Sequence, residues 1–276
     1  MRSAVVATRE VISSPANPLI KSVRRAVVQG SLTPEGFAVA ESFHLLEEAL
    51  RSDIPVHTVL ASETVRHAVE RHIRSLRTVE MRVVADRLFD EIASTSNSQG
   101  VMALVKLPVW KLENVFRGHS LVVVLDGLQD PGNAGAIVRS AEAFGSTGVI
   151  FVTGTASPYN PKTLRASAGS LFRLPFVHGV DVEMARTALR QRNLAVFAGA
   201  PKAKMLVSEG DMSAPCALVV GSEAHGISEK MRAVAKNLRI VTTGVESLNA
   251  AAAAAVILYE ASRQRARKVE SGPGMR

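Results

Sequence analysis

Only one cysteine, Cys216, occurs in the 276 residues. That excludes an internal disulfide and any metal cluster built on cysteines. The thiol stands ahead of an apolar run and reads as a small buried core residue. Aromatics are scarce, at 4%, so a sheet that stacks bases on rings is not expected. No apolar run reaches the length of a membrane helix, and the start of the chain carries no signal-peptide core. A cytoplasmic protein is therefore expected. Neither a three-glycine dinucleotide fingerprint nor a Gly-Lys-Ser/Thr phosphate loop occurs, which disfavours a nicotinamide or P-loop enzyme. No metal site is expected.

What is present is positive charge. Thirty-three Lys and Arg face 25 Asp and Glu, a net charge of +8. The excess is uneven. Residues 1–106 carry 13 basic and 12 acidic side chains, residues 107–263 carry 16 and 12, and residues 264–276 carry 4 and 1. A basic balance points to a polyanion, most simply nucleic acid. With so few rings, phosphate and shape contacts have to dominate. A basic protein with no nucleic-acid partner stays open on composition alone.

Residues 1–106 alternate strand and helix patterns and read as a small α/β domain. Residues 1–12 read as an unpacked lead-in, Asn17–Gln29 as a short helix, and Val65–Leu76 as an arginine-rich helix. Asp86 is expected to cap a helix through Ile92. Residues 107–119 read as a linker and 120–263 as a second domain. Its last strand is placed at Leu238–Val241 and its last helix at Ala250–Arg263. Residues 264–276 read as a disordered basic tail.

The second domain opens with the stretch from Leu121 to Thr153, LVVVLDGLQDPGNAGAIVRSAEAFGSTGVIFVT. The continuous apolar run Leu121–Leu125 suits a strand buried on both faces. A Pro/Gly/Asn loop follows, then helical spacing at Ile137, Ala141 and Phe144, then a second buried strand. Such a loop lies at the carboxyl end of a parallel strand, where open α/β sheets bind ligands. It places an amide, Asn133, just before the helix and a guanidinium, Arg139, early in it. A capping amide and a solvated arginine would explain the same residues.

Two further strands end in polar, glycine-bearing loops, GSEAHGIS and GVESLN. A parallel sheet brings the three loops together. His225 is the only histidine in them and reads as a bystander, since no carboxylate stands at a fixed spacing. Between the first and second loops, Lys162, Arg165 and Arg173 concentrate positive charge in a stretch that reads as a loop and a phosphate track.

These three stretches resemble the signature motifs of the SpoU (TrmH-like) RNA ribose 2′-O-methyltransferases of the SPOUT superfamily. SPYNPKTLRASAGSLFRLPF and GVESLNAAAAAAVILYE are similar in style. SSPANPLIKSVRR and SNSQGVMALV resemble the substrate-binding domain that often precedes that fold. The resemblance implies an α/β chain: a C-terminal, trefoil-knotted, parallel-sheet methyltransferase domain behind a small α/β domain. It also implies a homodimer, S-adenosylmethionine as methyl donor and RNA as substrate, 23S rRNA first. A tRNA substrate, or a knotted RNA-binding protein without turnover, stays open.

By the same resemblance Gly221, Ile240 and Leu248, with Ala200, hold the cofactor. Asn133, Arg139, Glu223, Ser247 and Asn249 form the catalytic set. Arg139 is expected to bind the phosphate next to the target ribose and stabilise the developing alkoxide. Asn133 would orient the ribose or the methionine end of the donor. Glu223 would hold its loop or an arginine, and Ser247 and Asn249 would fix the last loop and the substrate hydroxyl. Ser222 and Ala224 depart from the asparagine and glycine more usual in the family.

Overall fold

The computed structural model describes residues 7–73 and 79–270. The chain divides into two compact units, Met1–Val109 with Tyr159–Arg173, and Trp110–Pro158 with Leu174–Arg276.

The first unit is built on β1 (Ala7–Ile12), α1 (Pro18–Gln29), β2 (Ala38–Glu41), α2 (Phe43–Arg51) and β3 (Val56–Ser62). It continues through α3 (Arg66–Ile73), β4 (Glu80–Val84), α4 (Asp86–Ile92) and β5 (Val101–Val105). Its five strands run in the order β1-β4-β3-β5-β2. The first three are mutually parallel, while β5 and β2 pair antiparallel. Strands β2 and β5 are buried on both faces, and on one of those faces Ile20 and Val23 of α1 pack with Leu60, Val84, Phe89 and Met102. Asn17 caps α1, its Oδ1 accepting from the Leu19 N–H at 2.9 Å, and Pro18 supplies the first helical φ without wasting a donor.

Two expectations change here, and a third falls partly outside the described residues. Residues 7–12 are a strand rather than a lead-in, because the β4 edge offers a parallel partner. Asp86 does not cap α4. Its carboxylate accepts instead from the backbone and hydroxyl of Thr64. The arginine-rich helix is described only as far as Ile73, and the rest of its expected span lies outside the described residues.

The second unit holds β6 (Leu121–Asp126), α5 (Pro131–Ala143) and β7 (Gly148–Val152). Helices α6 (Pro161–Ser167) and α7 (Ser170–Arg173) belong to the first unit. The chain then returns as β8 (Phe176–Val180), α8 (Val182–Gln191), β9 (Ala195–Gly199), β10 (Met205–Leu206) and β11 (Cys216–Gly221). It ends with α9 (Glu229–Arg232), β12 (Lys236–Arg239) and α10 (Ala250–Glu270). Seven strands form one sheet in the order β10-β12-β9-β11-β6-β7-β8, every pairing parallel. All six residues of β6 are buried, as its unbroken apolar run requires of a strand covered on both faces.

The stretch expected to be a phosphate-binding loop is thus two short helices and an edge strand. Its breakers act as caps: Asn160 accepts from the Lys162 N–H at 2.8 Å, with Pro161 at the first helical position. The last strand lies two residues earlier than expected, because Leu238 pairs with Gly199 on β9.

The residues expected to begin a disordered tail continue α10. Gln264 donates to the Gly210 carbonyl at 2.9 Å and accepts from the Met212 N–H at 2.8 Å. Arg265 donates to the carbonyls of His119, Ser120, Met212 and Ala214 at 2.7–3.0 Å. Its fork of donors ties the helix to the segments entering β6 and β11. Residues 271–276 lie outside the described residues.

A candidate cofactor and methyl-transfer site

Gly221 and Asp126 stand side by side in register at the ends of β11 and β6. That pairing sets the loops after them next to each other. The first loop ends at Asp130, whose side chain accepts from the Asn133 N–H at 2.7 Å and caps α5. Asn133 is therefore inside the first turn rather than the cap, and its side chain is free to reach sideways. Asp126 is 6% exposed. Its Oδ2 accepts from the Ser228 N–H at 2.7 Å, which fixes the far end of the second loop. Ser228 in turn caps α9 through the Met231 N–H.

Between these anchors the second loop folds back on its own strand. Ser222 and Gly226 exchange backbone hydrogen bonds of 3.1 and 2.9 Å. A Cβ at Gly221 would come within 2.1 Å of the Gly226 carbonyl carbon, so only glycine allows the approach. The third loop ends in Asn249, whose Oδ1 accepts from the Ala251 N–H at 2.8 Å and caps α10. The alanines that follow let this helix lie close, with Ala254, Ile257, Leu258 and Ala261 buried along one stripe.

One chain of side-chain hydrogen bonds joins the three loops. Asn249 Nδ2 donates to Asn133 Oδ1 at 3.0 Å, and Asn133 Nδ2 donates to Glu223 Oε1 at 2.5 Å. Asn133 is the hinge pin of that chain, with both halves of its amide used. Glu223 holds an asparagine here, not an arginine.

Beside this chain lies a cavity of about 560 Å³, within the range of small-molecule sites. Ala200, Gly221, Ile240 and Leu248 all line it, and so do Glu223, Ser247 and Asn249. Its floor is apolar, from Leu218, Leu238, Ala254 and Ile257, and Glu246 stands at its wall. An adenosyl group fits this chemistry: apolar surface for the base, strand-end backbone for its edges, and carboxylates for a cation. Asn133 touches the cavity's wall through Glu223. Arg139 does not line the cavity. It is exposed on α5, with no hydrogen bond or ion pair among the described residues.

Lys162, Arg165 and Arg173 lie apart from these loops in sequence and belong to the first unit. Arg173 Nη1 donates to Glu48 Oε2 at 2.7 Å and to Ser52 at 3.0 Å. Arg165 Nη1 bonds Ser94 Oγ at 2.9 Å and stands 3.8 Å from Glu41. Burial acts to raise the Glu48 carboxyl, but the hydrogen bond and charge of Arg173, with Arg51, hold it below its ordinary value. Burial pushes the Cys216 thiol up, with only partial relief from Arg265, which suits a core thiol rather than a nucleophile. His225 is exposed in the second loop.

Sequence reasoning overlooked Asp126, Asp130 and Glu246. The two aspartates bracket the first motif, and their caps become visible only when the helix start is known. Nothing in the spacing separates Glu246 from an ordinary turn carboxylate.

Residues 120–259 match the family model described as the SpoU rRNA Methylase family. Residues 17–103 match the MRM3-like substrate binding domain. The 23S rRNA (guanosine(2553)-2′-O)-methyltransferase RlmP of Bacillus subtilis is 30% identical over 256 residues, covering 90% of this chain and 97% of that protein. A 23S rRNA (uridine(2479)-2′-O)-methyltransferase of Streptomyces viridochromogenes is 34% identical over 201 residues, 70% of each chain. The crystal structure of the SpoU methyltransferase AviRb from the same organism, in complex with AdoMet, superposes with a TM-score of 0.79 at 28% identity. It covers 93% of this chain and all of that one. With a family model spanning half its length and relatives alike across nearly all of it, the chain belongs to the SpoU rRNA methylase family.

Proposed function

We infer that the chain methylates a ribose 2′-hydroxyl of rRNA, with 23S rRNA as the substrate. The observation that carries this reading is the Glu223–Asn133–Asn249 chain of hydrogen bonds beside the cavity. When bound, S-adenosylmethionine supplies a methyl group made electrophilic by its sulfonium. The protein's own work is to position the ribose hydroxyl and assist its deprotonation.

Asn133 holds the second and third loops in one arrangement. Ser247, on the cavity wall, supplies a hydroxyl that can meet the ribose. Arg139 binds the neighbouring phosphate and stabilises the developing alkoxide. It is not the base, since a guanidinium keeps its proton at any pH near neutrality; the phosphate or water takes the proton. Lys162 adds to the phosphate contacts, while Arg165 and Arg173 serve chiefly to fasten α6 and α7 to β2 and α2.

A homodimer and a trefoil knot complete the proposal. Val256 and Tyr259, one helical turn apart on α10, are 41% and 56% exposed, which supports an apolar partner surface. The knot is proposed from membership of the SpoU family alone. No described helix is long and apolar enough to cross a membrane; we assign the protein to the cytoplasm on the ground that its substrate is there.

The test is methyl transfer from labelled S-adenosylmethionine to total RNA from a strain lacking the gene. The expected result is label in large-subunit rRNA as a 2′-O-methyl nucleoside. Label confined to tRNA would change the substrate. No label, with cofactor still bound, would leave an RNA-binding protein without turnover.

A further inference from the structure

Among the described residues the cavity is lined by two carboxylates, Glu223 and Glu246, and by no lysine, arginine or histidine. The two carboxylates differ. Glu223 accepts a hydrogen bond from Asn133 and is committed to holding the loops. Glu246 has no hydrogen bond or ion pair among the described residues, although it sits in a turn that is itself ordered by the Thr242 hydroxyl and the Val245 carbonyl at 2.8 Å. The cation that ends α9, Arg232, is turned to the Ile227 carbonyl at 3.0 Å and does not line the cavity. A concave site with unbalanced negative charge at its exposed rim favours a positively charged occupant, through a field that salt can screen.

We propose that Glu246 makes this cavity charge-selective, holding the positively charged methyl donor more tightly than the neutral S-adenosylhomocysteine left after transfer. The inference rests on the cofactor reading above and adds to it a residue that discriminates donor from product. Transfer forms a bond from the ribose oxygen to the methyl carbon and breaks the carbon–sulfur bond, whose electron pair stays on sulfur. The hydroxyl proton goes to the phosphate or water. The bound group thereby loses its sulfonium charge, while its ammonium and carboxylate continue to cancel. Every non-ionic contact to adenine, ribose and methionine is common to donor and product. Charge is the difference a protein can read without touching the methyl group, and the unpaired carboxylate on the cavity wall reads it. The consequence is release of spent cofactor against an excess of donor.

The experiment is calorimetric titration of the full chain, without RNA, with S-adenosylmethionine and separately with S-adenosylhomocysteine, for wild type and Glu246→Gln. Glu246 is exposed and unbonded, so the amide keeps the fold, and a thermal melt checks that. The expected result is that Glu246→Gln weakens donor binding about fivefold and product binding less than twofold. Raising the ionic strength should narrow the wild-type ratio of the two affinities more than the variant's, in which Glu223 still carries its charge. Equal weakening of both ligands, or no change in either, would overturn the proposal while leaving the cofactor site in place. Failure of the wild-type chain to bind either ligand would sink the cofactor reading and this inference together.

Discussion

Two arginine-bearing helices of this chain look alike as sequence and differ as chemistry. Arg139 on α5 and Arg173 on α7 both follow glycine-containing turns, and both are exposed enough to meet RNA. Arg173 is held by Glu48 and Ser52, and its segment packs into the unit built by residues 7–109. Arg139 has no partner among the described residues, and its helix carries Asn133 in its first turn. Positive charge in a sequence therefore says little until its counter-charge is located. A cation already matched by a part-buried carboxylate contributes to folding. An unmatched one beside a ligand loop is available for function.

The comparison breaks most visibly at Arg139. Arg139→Ala should lower the single-turnover rate of methyl transfer on the order of a hundredfold or more, with unchanged cofactor affinity and an unchanged melting temperature. Arg173→Ala should leave transfer within a few fold of wild type. Comparable losses in both variants would return Arg173 to the RNA interface and remove the distinction.

Asn133 comes next. Asn133→Ala unties three loops at once, and transfer should fall about tenfold to a hundredfold, with weaker cofactor binding measured in the same preparation. Asn133→Asp should be worse than alanine, because it sets a second carboxylate against Glu223 in place of an amide donor. An aspartate variant as active as wild type would show that the bridge is not needed.

The second unit was legible in its motifs because parallel strands buried on both faces leave continuous apolar runs, as in β6 and β11. Their register places Gly221 beside Asp126, so the convergence of loops followed from strand polarity alone. The edges were less legible. β8 reads FVHGV, with only Phe176 of its five residues buried, and β1 depends on a partner strand some seventy residues away. The end of α10 was misread because Gln264 and Arg265 are polar, and polarity suggests a tail. Their bonds go to backbone carbonyls at strand entrances, which no local pattern announces. The bridging role of Asn133 was equally hidden, since a side chain three residues into a helix looks like a cap until Asp130 is seen to occupy that place.

A smaller effect separates the two arginines without any RNA. Burial acts to raise the Glu48 carboxyl, but the Arg173 bond and charge, with the charges of Arg51 and His44, hold it below its ordinary value of 4.5. A lowered folded-state value means that ionised Glu48 adds stability above the unfolded value and loses it as pH falls through the folded one. In Arg173→Ala the burial remains and the main opposing contact is gone, so the carboxyl moves up. The variant should then lose about 1 kcal/mol at neutral pH, and its acid-unfolding midpoint should shift to higher pH than that of wild type. Arg139→Ala, with no carboxylate to release, should trace the wild-type acid-unfolding curve. A shifted curve for Arg139→Ala would mean that this arginine has a counter-charge in solution, and the contrast between a fastened and a free cation would fail at its simplest point.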